Sequence, residues 1–128
     1  MGSAISVQPL RVLIIDDDQA LLRMLRLSML SEGLEVATAS DGFTGLEALA
    51  RDNFDAIVLD LQMPNMDGRT FYRQMLAQGR RTPVLILSAY GAEAARRELR
   101  ADAALPKPFD PDVLVETIRR IAEPAASS

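Results

Sequence analysis

The stretch Val12-Leu13-Ile14-Ile15-Asp16-Asp17-Asp18 decides how this chain is read. A short β-branched run of this kind predicts a strand, and this one stops on three consecutive carboxylates. Just downstream, Leu21, Leu22, Met24, Leu25, Leu27 and Leu30 recur at helical spacing, and Gly33 marks a stop. The same alternation then repeats. Glu35 to Ala39 reads as a short strand, and Asp41-Gly42 opens a helix with Leu46 and Leu49 inward. Asp55 to Asp60 reads as a third strand, apolar enough to be covered on both faces. A loop with Pro64 and Gly68 leads into a helix near residues 68–78. Pro83 to Ser88 is the fourth strand, Glu93 to Leu99 a weak helix, and Ala103-Ala104-Leu105 a short fifth strand. Asp110-Pro111 starts the last helix, with Asp as N-cap and Pro at the first helical position. Val113, Leu114, Ile118 and Ile121 share one face of it.

Five strand–helix units follow one another in about 110 residues, which implies an α/β fold: a doubly wound, five-stranded parallel sheet with helices on both faces and right-handed crossovers. No internal repeat is present. The 128 residues suit one domain with its own core. Its expected bounds are residues 10–122, with flexible ends at 1–9 and 123–128.

Composition narrows the chemistry. The chain has no His and no Cys. That excludes a Ser-His-Asp triad, a histidine base, His-ligated zinc or haem, a thiolate nucleophile and a disulfide framework. Carboxylates, hydroxyls and Lys remain, and carboxylates suit hard cations such as Mg²⁺. The net charge of −4 with no basic run argues against direct nucleic-acid binding. No apolar run reaches the length of a membrane span, and no secretory leader is expected. The expected setting is the cytoplasm.

In an open parallel sheet, sites form beyond the carboxyl ends of the strands. Strand one ends in Asp16-Asp17-Asp18, strand three in Asp60 and strand four in Ser88, while Lys107 follows strand five. Each has a plain structural reading: helix capping for the first three acids, turn formation for Asp60 and Ser88, a solvated cation for Lys107. Those readings weaken together, because all the groups sit at one end of successive strands. Two unit charges 4 Å apart at an effective dielectric near 20 interact by roughly 4 kcal/mol. Clustered carboxylates therefore need protonation, a partner such as Lys107, or a divalent cation.

The chain resembles the receiver domain of two-component response regulators. The matching residues are Val12 to Asp18, then Asp60-Leu61-Gln62-Met63-Pro64-Asn65-Met66-Asp67-Gly68, then Ser88-Ala89, then Lys107-Pro108-Phe109. The resemblance implies a flavodoxin-like (βα)5 sheet of order 2-1-3-4-5. It also implies that Asp60 accepts a phosphoryl group from a phosphohistidine, on a sensor histidine kinase or a histidine phosphotransfer protein. Asp16 and Asp17 would hold Mg²⁺ with Asp60 and the backbone carbonyl of Gln62. Ser88 would turn its hydroxyl toward the phosphoryl group. Lys107 would pair with Asp60 in the free state, aimed by a cis peptide before Pro108, and Gly68 would let the chain turn into the next helix. Slow self-dephosphorylation would reset the switch, with Gln62 and Tyr90 flanking the water path. The only catalysis implied is the protein's own phosphorylation and dephosphorylation. Where the chain self-associates, the fourth-helix face is the expected surface.

Two features depart from the family pattern. The aromatic residue usual three positions before the Lys is Ala104, which leaves Tyr90 as the candidate substitute. Ser88 and Lys107 are closer in sequence than usual, and Arg100-Ala101-Asp102-Ala103 replaces Gly-Ala-Asp-Asp, so a short or shifted fourth helix is expected. Two other readings stand beside the main one. In a haloacid-dehalogenase-like phosphatase, Asp16 would be the nucleophile and Asp18 the acid–base group. A degenerate receiver would act only as an interaction module.

Overall fold

The computed structural model describes residues 8–122; of the expected loose ends at 1–9 and 123–128, all but residues 8 and 9 lie outside the described residues. The elements are β1 (Arg11–Ile15), α1 (Gln19–Ser31), β2 (Glu35–Ala39), α2 (Gly42–Arg51), β3 (Ala56–Asp60), α3 (Gly68–Ala77), β4 (Val84–Ser88), α4 (Ala92–Leu99), β5 (Ala103–Pro106) and α5 (Pro111–Ala122). All strand pairs are parallel, in the order β2-β1-β3-β4-β5. The order reverses at β1, so β1 and β3 flank the switch point where such sheets bind ligands. Among the described residues, no helix is long and apolar enough to cross a membrane.

Side chains alternate across each strand, and here both faces are buried. Leu13, Ile15, Ile57, Leu59 and Ile86 join Phe71, Met75, Ala95 and Leu99 on the face covered by α2, α3 and α4. Val12, Ile14, Val58, Leu85 and Leu87 join Leu22, Leu25, Met29, Leu114 and Ile118 on the α1–α5 face. This is why β3 and β4 read as unbroken apolar runs instead of alternating ones.

Helix ends follow local chemistry. Asp18, Asp41 and Asp67 cap α1, α2 and α3 by accepting from the amides of Leu21, Thr44 and Thr70. Gly33 and Gly79 take positive φ just after α1 and α3. Helix α4 is the shortest, with eight residues. No side chain caps its start at Gly91, and it ends on Arg100 at φ 62°. A glycine would adopt that left-handed geometry without Cβ strain. The expected short fourth helix is thus present, one residue longer at its N-terminus than its sequence pattern suggested.

Candidate functional site

The ends of β1 and β3 bring three carboxylates together. Oxygen atoms of Asp16, Asp17 and Asp60 all lie within 4.8 Å of one another. Asp16 and Asp60 are buried, at 1% and 5% exposure, whereas Asp17 is open to solvent. Such a set of hard oxygen donors, closed below and open above, fits a cation that keeps part of its water shell. Asp16 is fixed from both sides: its amide donates to Ala39 O, and its Oδ1 accepts from Asp18 N at 2.9 Å.

Lys107 supplies the balancing charge and is the only lysine in the chain. It reaches the site because its own amide donates to Ser88 O at 2.9 Å, which continues the β4–β5 ladder past the strand end. The Lys107–Pro108 peptide is cis. Its Nζ donates to Asp16 Oδ2 at 2.8 Å and stands 3.5 Å from Asp60 Oδ1. The shorter contact is therefore to Asp16, with Asp60, the partner the resemblance implied, at the longer distance.

The electrostatics follow from this packing. Burial, then the Asp16 charge, push the Asp60 carboxyl above its ordinary value, and Lys107 opposes them. Burial works against the Lys107 ammonium, but the hydrogen bond and charge of Asp16, with Asp60, outweigh it and raise Lys107 overall.

The remaining candidates are placed less directly. Ser88 is buried at the end of β4, and its Oγ is engaged: it donates to Tyr90 O at 2.7 Å and accepts from Tyr90 N at 3.2 Å. A turn toward Asp60 would break both bonds. The Gln62 side chain is exposed, and its backbone N–H donates to Asp60 Oδ1 at 3.5 Å. Tyr90 is 79% exposed, so its ring does not occupy the space that Ala104 leaves. The suggested substitution of one aromatic for the other is absent from this conformation.

The role expected of Gly68 needs correction. It is the first residue of α3 and carries no positive φ, so no turn geometry demands it. Its need is space: a Cβ there would lie 2.5 Å from Asp60 O and 2.8 Å from Leu61 Cα. Asp18 also resolves. Its carboxylate caps α1, which is the plain structural reading of this residue.

Comparison with known proteins agrees with this geometry. Residues 12–119 match the response regulator receiver domain family. Response regulator MprA of Mycobacterium leprae is 40% identical over 115 residues, covering 88% of this chain and 50% of that protein. The chain thus spans about half the length of the curated relatives it matches. Among solved structures, the receiver domain of Francisella response regulator 1452 superposes with a TM-score of 0.83 at 30% identity, covering 88% of this chain and 96% of that one. The receiver domain of the sensor histidine kinase PA1611 from Pseudomonas aeruginosa has a TM-score of 0.78 at 27% identity, with 90% and 98% coverage. Its structure has magnesium coordinated in the active site cleft. Receiver domains are signalling modules of two-component systems, and this chain belongs to their family.

Proposed function

We propose that residues 10–122 form the phosphoacceptor module of a two-component relay, with Asp60 as the residue that is phosphorylated. The observation that carries this reading is the setting of Asp60. It is a buried strand-end carboxylate with two further carboxylates and one ammonium converging on it. Asp60 attacks the phosphorus of a phosphohistidine on a sensor histidine kinase or phosphotransfer protein. A P–O bond forms, the P–N bond breaks, and the imidazole leaves with a proton from solvent. An ionised carboxylate needs no base, which suits a chain without histidine. Asp16, Asp17, Asp60 and the Gln62 carbonyl would hold Mg²⁺, which when bound neutralises charge on the transferring group. The magnesium in the PA1611 receiver domain supports that assignment. Lys107 exchanges its bond to Asp16 for a phosphoryl oxygen, and Ser88 Oγ leaves Tyr90 to donate to another. Attack of water on phosphorus later frees Asp60, past Gln62 and Tyr90. In this reading the module works in the cytoplasm. Incubation with acetyl phosphate and Mg²⁺, followed by intact mass, is expected to give an adduct of about 80 Da, the mass of one phosphoryl group. Its absence would overturn the reading.

A further inference from the structure

We infer that the state of Asp60 reaches the C-terminal end of α4 through α3, by a strap in which Arg69 and Arg73 hold Glu98. The inference rests on the proposed phosphorylation of Asp60. The usual aromatic route is closed in this conformation, because Ala104 has no ring and Tyr90 points to solvent.

The strap begins at the phosphoacceptor itself. Gly68 N donates to Leu61 O at 2.9 Å, and no side chain separates Gly68 from the Asp60 carbonyl. Two backbones in contact leave no soft layer to absorb a displacement, so a shift at Asp60–Leu61 moves the first turn of α3. The next residue, Arg69, places Nε and a terminal nitrogen each 3.2 Å from Glu98 Oε1. One turn later, Arg73 reaches Glu98 Oε2, also at 3.2 Å. One α4 carboxylate is thus gripped by two turns of α3. A second tie lies beside it: buried Tyr72 donates its hydroxyl to Arg100 O at 3.3 Å. Leu99 and Ala95 share their core with Phe71, Tyr72 and Met75. The last turn of α4 is therefore bound to α3. Its first turn starts at Gly91, uncapped by any side chain and at positive φ, and this end serves as the pivot.

The test adds Mg²⁺ and beryllofluoride, a phosphoryl mimic, to the full chain and follows backbone amides by NMR. Wild type is expected to shift in the Asp60 pocket and at residues 96–100. Glu98→Gln keeps the side-chain length and removes the charge. It should cut the shifts at 96–100 to less than half and leave those in the pocket. Arg69→Gln with Arg73→Gln should do the same from the other side, and high salt should weaken the wild-type response, since the pairs are exposed. Pocket shifts with an unaltered α4 response in both variants would overturn the strap alone. No pocket shifts in wild type would overturn the proposed function, and the strap with it.

Discussion

Lys107 donates to Asp16 Oδ2 at 2.8 Å, joining residues 91 positions apart. The bond offsets one of two buried carboxylates, and the 3.5 Å approach to Asp60 offsets part of the other. Lys107→Ala would leave both without a cation. Breaking a fully buried pair costs about 3–5 kcal/mol. Lys107 is partly open to solvent, so a loss of about 2 kcal/mol is expected. Mg²⁺ should restore more stability to this variant than to wild type, because it binds the folded state and replaces the missing charge. Urea unfolding with and without Mg²⁺ measures both effects. Equal stability of variant and wild type without metal would refute the charge balance described.

Gly68→Ala tests the packing against Asp60. The added methyl would sit 2.5 Å from a carbonyl oxygen that cannot rotate away. A cost of about 2 kcal/mol is expected, in the range of overpacked cores. The displaced Asp60 should also take up phosphoryl more slowly. Thermal melts and a time course of acyl-phosphate formation check the two parts.

Arg100→Gly should stabilise the protein. The left-handed geometry at φ 62° costs a residue with a Cβ about 1–2 kcal/mol. The extra freedom of glycine in the unfolded chain takes back about 0.5–1 kcal/mol. A net gain near 0.5 kcal/mol is expected, read as a small rise in Tm. The carbonyl of residue 100 still accepts from Tyr72, so that tie is unaffected.

The acid side of the stability curve depends on the helix caps. The Thr70 amide, at 2.8 Å, holds Asp67 below its ordinary value, and Thr44 does the same for Asp41. A depressed folded-state value means stability that is complete above the unfolded value near 4. That contribution is lost as pH falls through the folded value. Asp67→Asn keeps an N-cap acceptor but does not titrate. Its stability should fall less steeply than that of wild type below about pH 4. Parallel curves from urea melts across pH would contradict this.

Much of this was legible from residue order. Strand periodicity placed Asp16, Asp60 and Ser88 at strand ends, and parallel order brought those ends to one edge. Other features depend on side-chain geometry that periodicity does not carry. The closer contact of Lys107 with Asp16 than with Asp60 is a matter of side-chain distances, 2.8 Å against 3.5 Å. The need for Gly68 looked like turn chemistry, yet it is a close approach between two backbones. Glu98 carries no signal in residue order, because its partners lie on α3, more than 20 positions away.

The central claim is that Asp60 accepts the phosphoryl group. Acyl-phosphate formation should be followed by intact mass in wild type, Asp60→Asn and Asp16→Asn, each with acetyl phosphate and Mg²⁺. The expected result is an adduct of about 80 Da in wild type and none in Asp60→Asn. Asp16→Asn should form the adduct more slowly or only at higher Mg²⁺. An adduct that survives in Asp60→Asn, or none in wild type, would contradict it.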